Sequence, residues 1–305
     1  MLILDSGIGG LSVLKEIRRA LPQAEVIYLA DTAAFPHSDQ NEEALVERLA
    51  ALLEVLLASG RPDLVLVTGS TASSLALPQL QARFDLPIMG CQPALETAVE
   101  MTQAGCIGLL ETETTRRQPA RRDWIERVAA GCRVVRVGAR RLAGLAERRF
   151  RGLSMDRALL ARESGALFSE PVAPKPDAVV LGSPHYWFLL EELRRLGPPD
   201  TLWIEPGMTT AQRVQDMASS LASTTLRRPL ARRQPGSLHA AVRPGQEAGR
   251  ERLCRLRARP RAGAGSPFLR RPAASRGAPG GRLMRLSRRC VPLSAGAVST
   301  SVPLC

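Results

Sequence analysis

Nowhere in the 305-residue chain do about 18 apolar residues run together, so a membrane-spanning helix is not expected. Nor is a secretory leader: Met1 is followed by Leu2, Ile3 and Leu4 and then at once by Asp5, with no basic opening and no long apolar core. The six cysteines, Cys91, Cys106, Cys132, Cys254, Cys290 and Cys305, lack metal-ligand spacing. They read as reduced thiols of a cytoplasmic protein rather than as a disulfide framework, and no metal site is expected. Lysine is almost absent, and arginine carries nearly all of the positive charge.

That charge is unevenly placed. The formal net charge is +13, yet residues 226–305 hold 18 Arg, no Lys and only Glu247 and Glu251 as acids, a net +16. Residues 1–225 carry 24 basic and 27 acidic groups, a net −3. Arg, Gly and Pro make up 36 residues of the tail and Phe268 is its one aromatic, so it buries too little to offset its ordering entropy and is expected to be disordered. Without stacking aromatics or a recognisable module, it does not point to a nucleic-acid partner. The abrupt change of composition in an arginine-rich chain fits translation of GC-rich DNA in a shifted frame. The tail is therefore expected to be a frameshift product or a late extension without a function of its own.

The first 225 residues are long enough for one or two domains with a proper core. Apolar runs at 2–4, 26–29, 64–67, 88–89, 107–110, 134–137, 178–181 and 202–204 read as buried strands. Helical patterns occupy 11–20, 42–59, 73–83, 94–103, 124–130, 155–168, 187–196 and 209–221. Strands alternating with helices predict an α/β fold with largely parallel sheets, whose site lies at the carboxyl ends of the strands. Four such loops are rich in small polar residues: Asp5 to Gly10, Asp31 to Ser38, Thr68 to Ser73, and Gly182 to Tyr186. Backbone N–H groups at the following helices would suit a small anion.

Singly, these loops are weak signals. The first meets neither the Walker pattern nor the GxGxxG fingerprint and by itself is a tight turn, and Thr71 and Ser73 are ordinary capping residues. His185, in a loop just past a strand, is placed as a general acid or base would be. In combination and order the loops say more. Asp-Ser-Gly-Ile-Gly-Gly-Leu-Ser-Val-Leu at 5–14, Ala-Asp-Thr at 30–32 with Pro36, Thr-Ala-Ser at 71–73, Leu-Gly-x-x-His-Tyr at 181–186 and Trp-Ile-Glu-Pro-Gly at 203–207 together resemble glutamate racemase, of the aspartate/glutamate racemase superfamily.

The resemblance covers residues 1–222. It implies two pseudo-symmetric parallel-sheet lobes around a central cleft, lobe A from 1–93 with 206–225 and lobe B from 94–205, with 226–305 as the tail. It also implies glutamate or a similar amino acid as ligand, no cofactor, and D-glutamate supply for peptidoglycan and cell shape; a homodimer is left open. Racemisation needs a base on each face of the α-carbon. The family uses two cysteines, since a thiolate is accessible from an ordinary pKa of about 8.5. An Asp and a His assist them, and Asp5 and His185 match these.

The cysteines do not match. Where the family reads Cys-Asn-Thr-Ala-Ser this chain has Gly69, Ser70, Thr71, Ala72 and Ser73; where it reads Gly-Cys-Thr-His-Tyr this chain has Gly182, Ser183, Pro184, His185 and Tyr186. Gly69 has no side chain, and the Ser183 hydroxyl is far less acidic than a thiol. Of the remaining substrate contacts that the resemblance implies, Ser6, Thr71 and Thr115 match, whereas Pro36, His37 and Ser38 replace Pro-Tyr-Gly, Ser70 replaces Asn and Pro184 replaces Thr. Cys91 and Cys106 read as small core residues, not as substitutes. The chain is therefore expected to be a glutamate racemase family protein with impaired or no activity. Two alternatives stay open: racemisation by another base pair such as His37 with His185, and non-catalytic binding of a small acidic ligand or a partner protein.

Overall fold

Each of the eight apolar runs is a strand in the computed structural model, which describes residues 1–169, 174–225 and 254–255. β1 (Leu2–Asp5), β2 (Ile27–Ala30), β3 (Val65–Val67) and β4 (Ile88–Gly90) pair in parallel in the order β4-β3-β1-β2. Leu2 registers with Ile27 on one side and Val65 on the other, and Val65 with Ile88. A second parallel sheet, in the order β6-β5-β7-β8, comprises β5 (Cys106–Thr112), β6 (Arg133–Ala139), β7 (Ala178–Leu181) and β8 (Leu202–Ile204). Most of these strands are apolar throughout because helices cover both faces of a parallel sheet.

Successive residues of a strand point to opposite faces. Leu2 and Leu4 therefore pack with Leu45, Leu49 and Leu53 of α2 (Glu42–Ser59), whereas Ile3 packs with Val13 and Ile17 of α1 (Gly9–Ala20). Ala211 and Val214 of α11 (Gly207–Thr225) join that second cluster, so α11 returns the chain to the first sheet. Each fully buried Leu or Ile contributes about 1.5–3 kcal/mol. The start of α2 is set by Asn41, whose Oδ1 accepts the Ala44 N–H at 2.7 Å, with Glu42 and Glu43 in the first turn.

The remaining helices are α3 (Ser70–Leu75), α4 (Leu77–Arg83), α5 (Leu95–Met101), α6 (Glu113–Arg116), α7 (Pro119–Val128), α8 (Leu142–Phe150), α9 (Arg157–Ser164) and α10 (Leu190–Arg194). In the second sheet Ile107, Leu109 and Val180 pack with α5 and α7, while Leu110, Val179 and Leu181 pack with Leu142 and Leu145 of α8. Several helical expectations change. The helix expected at 73–83 is two helices meeting at Ala76, where Pro78 begins α4. The stretch at 187–196 opens as a 3-10 turn, Pro184–Leu189, before α10. α6 and α8 were not expected at all.

Of the tail, Cys254–Arg255 is described, as a short strand β9 antiparallel to β2. The expectations of disorder and of a shifted frame over 226–305 otherwise lie outside the described residues. Among the described residues no helix is long and apolar enough to cross a membrane.

Candidate active site

Asp5 ends β1 and is fully buried. Its Oδ1 accepts the Gly7 N–H at 2.8 Å and its Oδ2 accepts the Thr68 hydroxyl at 2.7 Å. Tyr28 closes the turn by donating to the Gly7 carbonyl at 2.7 Å. Burial, reinforced by the charges of Asp5 and Glu147, pushes the Tyr28 phenol well above its usual pKa, so it remains a neutral donor.

His185 comes in from the 3-10 turn after β7 and is buried against this loop. Its Nε2 lies 3.4 Å from Glu147 Oε1 and 3.9 Å from Asp5 Oδ1, and among the described residues no group hydrogen-bonds to it. Glu147, from α8, also accepts the Ile8 N–H at 2.8 Å. A Cβ at Gly7 would strike the Glu147 carboxylate and one at Gly9 would strike the His185 ring. The close approach of these two side chains is what requires glycine in the first loop. Two of the loop's amides are taken by the chain's own carboxylates, so an anionic ligand would not find them free.

A second cluster lies around Gly69. Asp31 follows β2 and is fully buried; Arg48 of α2 grips it through Nε to Oδ2 at 2.7 Å and Nη2 to Oδ1 at 2.5 Å. His37 Nε2 meets Asp31 Oδ2 at 3.1 Å. Burial acts to raise the Asp31 pKa, but hydrogen bonds from His37 and Arg48 outweigh it and hold the carboxyl below the usual range. His37 Nδ1 is buried with no hydrogen-bond partner among the described residues. A Cβ on Gly69 would stand 3.9 Å from that nitrogen and 3.7 Å from the Ala72 Cβ. Gly69 has φ −62° and ψ 125°, a conformation open to any L-residue.

Thr71 links this loop to the second sheet: its hydroxyl lies 3.1 Å from that of Thr112, which donates to Thr115 at 2.9 Å. Ser70 and Ser6 are buried beside their glycine neighbours in the two loops. Pro36 follows a cis peptide after Phe35, whose ring lies 5.7 Å from that of His185, so residues 35–37 run between the two clusters. Ser183 is buried at the start of the 3-10 turn, and the Pro184 carbonyl accepts the Ser12 hydroxyl at 3.4 Å. Ser38 is different. Its carbonyl accepts Thr114 Oγ1 at 2.7 Å, and it lines a cavity of about 190 Å³ with Asp39, Glu113, Thr114 and Arg117.

No protein-family profile matches the chain. It is 41% identical over 223 residues to glutamate racemase of Granulibacter bethesdensis, covering 73% of this chain and 80% of that one. The chain belongs to the glutamate racemase family. Glutamate racemase of Brucella canis is 38% identical over 218 residues, covering 71% and 79% of the two chains. Among solved structures, Escherichia coli glutamate racemase in complex with L-glutamate and the activator UDP-MurNAc-Ala matches with a TM-score of 0.66 and 34% identity over 72% of this chain and 82% of that one. Glutamate racemase of Thermus thermophilus, in complex with β-chloro-D-alanine, matches with a TM-score of 0.57 and 26% identity over 76% and 83%.

In this glutamate racemase family chain Cys91 and Cys106 are buried, as expected of core residues. Burial pushes the Cys91 thiol up to about 12 despite a 3.3 Å contact with Thr210 Oγ1, and burial also raises Cys106. Neither is a thiolate near neutral pH. Sequence reading missed Glu147, Thr68, Tyr28 and Arg48. Glu147 had one usable signal: Leu142, Leu145 and Ala146, buried at helical spacing, mark α8 and place Glu147 at its edge.

Proposed function

We propose that this chain interconverts L- and D-glutamate without a cofactor, for peptidoglycan synthesis in the cytoplasm, at a rate well below that of a racemase with two thiolates. The observation that carries the reading is the cluster of Asp5 and His185, which follow strand ends, with Glu147 of α8, and with a buried imidazole nitrogen that has no hydrogen-bond partner among the described residues. Glutamate as substrate is supported by the relatives' activity and by the L-glutamate bound to the Escherichia coli enzyme. The low rate follows from Gly69, which offers no acid or base, and from Ser183, whose hydroxyl is a much poorer base than a thiolate at neutral pH. We assign the lobes to 1–93 with 206–225 and to 94–205.

The test is exchange of the glutamate α-proton in D2O by the purified full chain. Slow exchange that Asp5→Asn or His185→Gln abolishes supports the reading. The replacement of both thiols favours one competing reading, a binder without chemistry. Glutamate that binds but never exchanges would establish it.

A further inference from the structure

We propose that His37 is the proton acceptor on the face of the site where Gly69 leaves no side chain; this rests on the racemase reading above. Three observations converge. His37 is 3% exposed, and its Nδ1 is one of the few buried polar side-chain atoms among the described residues with no hydrogen-bond partner. Native interiors rarely leave such an atom unpaired, and it is the kind of group a ligand completes. Its orientation is fixed from behind. Asp31 accepts from Nε2, which puts the proton on Nε2 and the lone pair on Nδ1, and Arg48 holds both oxygens of that carboxylate.

The third observation is the pairing of His37 with glycine. Position 69 is the N-cap of α3, its backbone dihedrals are open to any residue, and an added Cβ would meet nothing nearer than 3.7 Å. Glycine is therefore not required there by the backbone. Its effect is that no side chain from position 69 stands against Nδ1, which an added Cβ would approach to 3.9 Å. The base is displaced from residue 69 to the residue facing it.

The proton step balances with the groups present. The substrate Cα–H bond breaks, its electron pair remains on the substrate as the carbanion, and the proton goes to His37 Nδ1. The resulting imidazolium keeps its Nε2–H on Asp31, which stabilises the positive charge. A proton returned to the opposite face from protonated His185 inverts the centre, and the two imidazoles exchange roles for the reverse direction. Asp31 acts as a positioning residue, not as a proton carrier.

Exchange of the α-proton in D2O, measured separately from L-glutamate and D-glutamate with the full chain, tests this. Each enantiomer presents its proton to one face, so His37→Gln should lower exchange from one enantiomer by about 100-fold or more and spare the other. Gly69→Val leaves the His37–Asp31 pair intact but sets a branched side chain against Nδ1, and should give the same one-sided loss if His37→Gln fails to fold. Gly69→Cys added to His37→Gln should restore the lost enantiomer. Equal losses for both enantiomers, or none, with a wild-type chain that exchanges both would overturn the role of His37 and leave the racemase reading standing. A wild-type chain that exchanges neither would overturn both.

Discussion

His185 Nε2 lies 3.4 Å from Glu147 Oε1, and that same oxygen accepts the backbone N–H of Ile8 at 2.8 Å. One carboxylate is thereby held to the turn that carries Asp5 and faces the imidazole without hydrogen-bonding it. Glu147→Gln keeps an acceptor for Ile8 but removes the charge facing the ring, so stability should change by less than about 1 kcal/mol. Exchange should fall about 10- to 100-fold, since the charge that stabilises a protonated His185 is gone. Urea unfolding and α-proton exchange on the same preparation separate the two effects; equal exchange rates would remove Glu147 from the mechanism.

Asp31 sets an acid limit on stability. Its folded pKa lies below the unfolded value of about 3.9, so its contribution is fully present above that value and is lost as pH falls through the depressed folded pKa. Asp31→Asn leaves Arg48 and His37 facing a neutral amide and should cost about 3 kcal/mol at pH 7, as expected for breaking a buried pair. The variant should also lose less stability than wild type between pH 4 and the folded pKa. Urea midpoints at pH 7 and pH 3 check both statements.

The strands were readable because a strand covered on both faces must be apolar along its length, and runs such as 107–110 and 178–181 are too short and too uniformly apolar for a surface helix. The loops at Asp5 and His185 were readable through the order of motifs that resembles glutamate racemase, and the structure adds the reason for glycine at 7 and 9, the close approach of Glu147 and His185. α8 left only the short signal of Leu142, Leu145 and Ala146, because Gly144 and the arginines on either side obscure a helix whose formation depends on burying Leu142 and Leu145 under β7. With the helix went Glu147. Nor was the Asp31–His37–Arg48 arrangement legible, because its three residues come from a loop, a 3-10 turn and the second turn of α2, and only the fold brings them together.

Gly9 should tolerate no side chain. A Cβ there would overlap the buried His185 ring at several atoms, and the ring is confined by Phe35 and Glu147. Gly9→Ala should cost about 1–3 kcal/mol through overpacking and abolish exchange by displacing the imidazole. Gly144→Ala makes the control, because an added Cβ meets nothing within 4 Å; thermal unfolding of the two variants should differ in sign or nearly so.

Cys91 should be chemically silent. With its thiol pushed up to about 12 and its side chain in the core, it should resist iodoacetamide at pH 8 in the folded chain, while the half-buried Cys132 reacts. Cys91→Ala should leave α-proton exchange within about twofold of wild type. Peptide mapping after alkylation gives the first result. A Cys91→Ala chain that no longer exchanges would instead show that this thiol has taken over from residue 69.

Placing thiols at 69 and 183, where the resemblance implies cysteines, asks whether another group limits the site. Gly69→Cys places a Cβ in ordinary contact distance of Ala72 and of His37 Nδ1, so the sulfur lies within reach of an imidazole held by Asp31. Such a neighbour lowers a thiol's pKa when the imidazole is protonated. Ser183→Cys exchanges oxygen for sulfur at a buried position whose backbone is already fixed by the Tyr186 N–H at 3.0 Å. The double variant should racemise glutamate at least about 100-fold faster than wild type and lose that gain to iodoacetate, because general bases of suitable pKa are worth about 100- to 10,000-fold. Each single variant should speed exchange from one enantiomer only, and opposite ones. If the double variant gains nothing while still binding glutamate, the replaced contacts at Ser70 and Pro184, not the thiols, limit this site.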